Sequence, residues 1–147
     1  MIKKFNRNHS LIVLYKEDWK ILFQDRKNMS KGWEEYWFFG WWVDKWESFE
    51  QAVIRETEEE LNIKLKPSDI TLACNFAKTI NWYGTSENHV FIAPYKQEYD
   101  NTIKILEWER WVWWTLNEVK KQVFFNHDYM VFGMLELYFD KYWFSSK

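Results

Sequence analysis

Residues 38–63 read FFGWWVDKWESFEQAVIRETEEELNI, and the fold turns on how this stretch is divided. Ser48 with Gln51 three residues later forms a capping box, so a helix is predicted from Phe49 to Leu61. At about 100° per residue, Val53, Ile54, Thr57 and Leu61 share one arc and should face a core. Glu56, Glu59 and Glu60 fall together on the adjoining arc at i, i+3 and i+4, where their carboxylates repel one another unless a cation intervenes. Hard divalent ions take oxygen ligands of this kind. Taken alone, an acidic helix face is more often simply solvated.

Upstream, 10–16 (SLIVLYK) and 20–25 (KILFQD) read as two strands of a hairpin turning at Glu17-Asp18-Trp19, with tryptophan where glycine is usual. A polar loop over 26–35 leads to a short strand at 36–39. Downstream, strands are predicted at about 70–78, 88–95 and 110–114, a polar loop at 97–102, and helices at 116–122 and about 127–142. Strands interleaved with helices predict an α/β domain, a mixed β-sheet between helices, with the whole chain 1–147 as one domain.

Twenty basic against 22 acidic residues, net charge -2, give no cationic field for a nucleic-acid polymer. A free nucleotide remains a possible substrate. The five-residue apolar run LIVLY is too short for a membrane span, and a single cysteine, Cys74, suits a reducing compartment; a cytoplasmic protein is expected. His9, His89 and His127 show no zinc-type spacing, and no P-loop motif is present.

The stretch resembles the Nudix box, G-x5-E-x7-R-E-U-x-E-E-x-G-U with U a bulky aliphatic residue. Glu47, Arg55-Glu56, Glu59-Glu60 and Ile63 stand in register, and the order of elements fits that family over nearly the whole chain. The resemblance implies a Nudix-like α/β/α sandwich and hydrolysis of a nucleoside diphosphate linked to another moiety. It implies magnesium (or manganese) held by Glu56, Glu59 and Glu60 with the Gly40 carbonyl, Arg55 orienting a catalytic glutamate, and Glu47 supporting the box. Glu107, or Glu109 beside it, lies where some members supply a general base. Either is equally an exposed loop residue. Asn126 lies where purine-reading members contact a base edge and is equally a helix N-cap. Phe38 and Phe39 either line a base pocket or pack. A nucleotide substrate, more readily a triphosphate (including oxidised ones) than a larger conjugate, and a monomer or homodimer are expected. A catalytically silent Nudix fold that binds nucleotide or protein is the competing class.

Three positions depart from the box. Thr57 replaces an aliphatic residue, Asn62 replaces the second glycine, and Trp41 replaces the first. Asparagine tolerates the left-handed conformation that ends a helix. An indole at Trp41 is harder to reconcile with a turn that brings backbone close to a metal or takes φ > 0. Trp42 and Trp46 also stand where glycine is common in the family. Glycine numbers only 4, against roughly 10 at average usage, while tryptophan numbers 12. Both counts fit UGA codons read as tryptophan where the source reads glycine; UGG codons at 41, 42 and 46 would end that reading. The alternative is a tryptophan-rich binding face.

Overall fold

The computed structural model describes residues 8–27, 35–79, 84–104, 110–122, 124 and 126–145. Seven strands form one mixed sheet: β1 (His9–Tyr15), β2 (Ile21–Asp25), β3 (Tyr36–Trp37), β4 (Phe39–Trp42), β5 (Thr71–Thr79), β6 (Thr85–Pro94) and β7 (Arg110–Trp114). The helices are α1 (Phe49–Leu61), α2 (Leu116–Val119) and α3 (Asn126–Ser145), with 3-10 turns at Pro67–Asp69 and Gln97–Asn101. Among the described residues no helix is long and apolar enough to cross a membrane.

β1 is the axis of the sheet. It runs parallel to β6 from His9↔Asn88 to Tyr15↔Pro94, while β5 pairs antiparallel along the far edge of β6. β1 and β2 pair only at Tyr15↔Ile21 and then diverge, since β4 pairs with β1 while β3 pairs with β2. β7 closes the other side of β2. The divergence brings the chain just before α1 between two strands, which is what positions the box.

Alternation in the strands sorts the core into two layers. Leu11, Val13, Phe23, Val90 and Ile92 pack with Val119 of α2 and with Val131, Phe132, Leu135 and Phe139 of α3. Ile12, Leu14, Leu22, Phe91 and Ala93 pack with Val53 and Leu61 of α1 and with Ile63 and Leu65 beyond it. The result is the expected α/β/α sandwich.

Several boundaries differ from the sequence reading. The segment expected as one strand over 36–39 is two, and the second continues through Trp41 and Trp42, pairing them with Ser10 and His9. Both tryptophans are therefore strand residues, because β1 offers them an open edge. The expected loop at 97–102 winds into a 3-10 turn, and α2 is shorter than 116–122. At the hairpin, Trp19 takes φ 61, the left-handed conformation that favours glycine, with its N–H donating to Lys16 O at 2.8 Å.

Candidate active site

α1 begins as its capping box dictates: Ser48 Oγ accepts from Gln51 N–H at 3.1 Å, and Gln51 Oε1 accepts from Ser48 N–H at 2.8 Å. It ends at Asn62, φ 57, whose N–H donates to Glu58 O. Asparagine thus fills the glycine position in the left-handed cap, and its Nδ2 donates to Thr102 O at 2.9 Å. Thr57 is fully buried, and its hydroxyl donates to Val53 O at 2.6 Å, so the departure from an aliphatic residue leaves no polar group unpaired.

One turn along the helix edge, Arg55 gathers the carboxylates. Its Nε donates to Glu47 Oε2 at 3.0 Å and its Nη2 to Glu47 Oε1 at 2.6 Å, a two-pronged grip. Nη1 reaches Glu56 Oε1 at 2.8 Å and Glu59 Oε2 at 3.2 Å, and Nη2 also donates to Trp42 O at 3.2 Å. Glu47 Oε1 in addition accepts from Asp44 N–H at 2.8 Å, which closes the loop ahead of the helix. The Arg55 hydrogen bond holds the Glu47 carboxyl below the usual range, and Glu47 in turn raises the guanidinium pKa. The cation that the glutamate spacing calls for is, in this state, Arg55.

Glu60 is turned the other way. It is 2% exposed, with Oε1 accepting from Gly40 N–H at 2.9 Å and Oε2 from Gln24 Nε2 at 3.0 Å. Gly40 has φ 114, and a Cβ there would lie 2.2 Å from Ser10 O, so this position admits glycine alone. The close approach the box requires thus falls at Gly40, and Trp41 and Trp42 have ordinary negative φ. Of the two reasons for a glycine at position 41, close backbone approach or φ > 0, the second does not apply: among the described residues only Trp19 and Asn62 are non-glycines with positive φ.

Glu47, Glu56 and Glu59 around Arg55, with Glu60 behind them, gather hard oxygen donors along one side of α1. By chemistry it fits a divalent ion. As they stand, no three acidic or imidazole groups among the described residues meet as one ligand set. Glu56 and Glu59 each meet Arg55 through one carboxylate oxygen, and Glu60 faces Gly40 and Gln24.

A profile for the NUDIX domain matches residues 5–132. The chain belongs to the Nudix family. Solved structures superpose on it over most of its length. The E. coli ORF135 protein has TM-score 0.74 and 20% identity, covering 90% of this chain and 89% of that one. The MutT NUDIX hydrolase from Burkholderia pseudomallei has TM-score 0.60 and 26% identity over 77% and 85%. The NUDIX domain of Shewanella oneidensis NrtR, complexed with ADP ribose, has TM-score 0.64 and 19% identity over 92% and 88%. No curated protein matches the chain.

Of the Nudix residues named from sequence, Glu47, Arg55, Glu56 and Glu59 come together in one network, with Gly40 and Glu60 as an adjacent inward-facing pair. Phe38 and Phe39 are 0% and 1% exposed and sit in opposite core layers, so in this state they pack. Glu107, Glu109 and the Asn126 side chain lie outside the described residues. Three participants were not named from sequence: Gln24, Asp44 and the Trp42 carbonyl. The signal for Gln24 was a polar residue directly after the apolar run Ile21-Leu22-Phe23 in a strand.

Proposed function

We propose that the protein is a magnesium-dependent pyrophosphohydrolase acting on a nucleoside di- or triphosphate derivative. The observation that carries this reading is the Arg55 network, a guanidinium holding Glu47, Glu56 and Glu59 on one helix edge beside the Gly40–Glu60 pair. Membership of the Nudix family supports it, as does the ADP ribose bound by the structurally similar NrtR domain.

Glu56, Glu59, Glu60 and the Gly40 carbonyl would hold magnesium, or manganese in its place. The ion would supply countercharge to the diphosphate. Arg55 keeps Glu56 and Glu59 oriented, and Glu47 fixes Arg55 to the loop that precedes α1. Glu107 is proposed to take the proton from the attacking water as a P–O bond of the phosphate bridge breaks and the electron pair leaves with the departing phosphate oxygen.

The test is magnesium-dependent phosphate release from a panel of nucleotides by the wild type and by Glu59→Gln. The expected result is turnover of at least one nucleotide, falling by roughly a hundredfold or more in the variant, about 2–3 kcal/mol of transition-state stabilisation. Near-normal turnover in the variant at saturating magnesium overturns the metal assignment. Nucleotide binding with no release points to the catalytically silent Nudix fold.

A further inference from the structure

Gln24 stands at the diverging end of β2, wholly buried, where its neighbours in the register are Trp37 and Trp111. Its amide nitrogen donates twice, to Phe38 O at 2.9 Å and to Glu60 Oε2 at 3.0 Å. Both partners are acceptors, which fixes the amide's orientation with nitrogen toward them. Its own Oε1 is left buried without a hydrogen-bond partner among the described residues. A half-satisfied buried amide is a worse core residue than methionine or leucine of similar volume, so packing does not account for it. What an apolar residue cannot do is donate to a carboxylate. Glu60 needs such donors, because it is buried and its other oxygen already accepts from Gly40 N–H.

We propose that Gln24 is a positioning residue, which fixes the Glu60 carboxylate against Gly40 so that the two are presented together as ligands. This rests on the metal-site reading above. The geometry ties three separate segments at one point: β2 through Gln24, the start of β4 through Gly40, and α1 through Glu60. Residues of this kind, one step behind the ligands, commonly change metal affinity by about 10–100-fold when replaced.

The test uses the full chain and Mn2+ alone, with free ion followed by electron paramagnetic resonance, so no nucleotide or turnover enters. Gln24→Met should keep the fold, checked by thermal unfolding, and weaken Mn2+ binding by about 10–100-fold. The exchange Gln24→Glu with Glu60→Gln retains one amide, one carboxylate and the hydrogen bond between them, at the expense of the bond to Phe38 O. It moves the charge from α1 to β2 and should weaken Mn2+ binding at least about tenfold. Equal affinity in wild type and Gln24→Met overturns the role of Gln24. If Gln24→Met does not fold, unchanged affinity in the exchange variant overturns it instead. Absence of Mn2+ binding by the wild type overturns the metal-site reading, and this inference with it.

Discussion

Arg55 grips Glu47 through both carboxylate oxygens, at 3.0 and 2.6 Å, across the loop that joins β4 to α1. The same guanidinium reaches Glu56 and Glu59, so it couples the shape of the loop to the acidic helix edge. Lysine carries the charge without the planar fork. Arg55→Lys should therefore lower nucleotide turnover by roughly a hundredfold, the scale expected for a displacement of about 1 Å in a reacting group. Melting temperature, measured alongside, should move by only a few degrees, because the pair is partly exposed and the α1 core contacts are untouched.

The Glu47 carboxyl is held below its ordinary pKa chiefly by its hydrogen bond from Arg55, then by Asp44 N–H. Its folded value lies below its unfolded value, about 4.3, so its contribution is complete above that pH and is lost as pH falls through the folded value. Asp69, held down by Lys96, acts in the same window and the same sense. Thermal unfolding of wild type and Glu47→Gln between about pH 7 and pH 3 should show the wild type's advantage shrinking only on the acid side. A constant gap across that range would mean that the pair contributes through neutral contacts instead.

At Trp19 two effects oppose each other. A left-handed φ of 61 costs an L side chain about 1 kcal/mol relative to glycine, while the ring stacks on Tyr15 at 5.4 Å and packs on Phe139 at 4.5 Å. Aromatic pairs contribute about 0.5–1.5 kcal/mol each, enough to offset the strain. The backbone effect is isolated by comparing Trp19→Gly with Trp19→Ala, which both lose the ring. The glycine variant should be the more stable by about 1 kcal/mol in urea unfolding. Equal stability would show that the turn relaxes to a negative φ once the ring is gone.

The box helix was legible in the sequence almost to the residue, because its start, end and apolar arc are all set locally: Ser48 and Gln51 cap it, Asn62 stops it, and Val53 and Leu61 face the core. The Arg55 network was legible as spacing but not as geometry. Periodicity puts Glu56, Glu59 and Glu60 on one arc, yet burial turns Glu60 inward to Gly40 and Gln24 and leaves Glu59 half exposed. Gln24 lies 36 positions from Glu60, and no local pattern reports a contact at that separation. The strand through Trp41 and Trp42 was hidden for a related reason: it exists because β1 and β2 diverge, which is a property of the sheet.

The tryptophans of the box loop lead to the last prediction. Since Gly40 already supplies the positive φ, the conformational case for glycine at 41 and 42 falls away, and the remaining case is room for phosphate and metal beside the backbone. Trp42 is 37% exposed, and its carbonyl accepts from Arg55; Trp46 is 89% exposed, with Lys45 Nζ 5.1 Å from its ring centroid. Trp41 is different, packing edge-on against Trp37 at 4.8 Å and at a tilt against Trp42 at 5.4 Å. Trp46→Gly alone should change stability by no more than about 0.5 kcal/mol, as for other exposed positions. Trp41→Gly should cost about 1–3 kcal/mol in lost aromatic contacts. The triple change Trp41→Gly, Trp42→Gly and Trp46→Gly is still expected to raise magnesium-dependent hydrolysis by at least roughly tenfold, on the premise that three indoles ahead of Glu47 crowd the diphosphate and that a shift of about 1 Å in a reacting group costs about a hundredfold. The packing of Trp41 makes the changes in stability and in activity comparable in size. Rates and melting temperatures of the two purified proteins on one nucleotide panel decide the matter, and equal rates would show that the indoles leave the diphosphate room to bind.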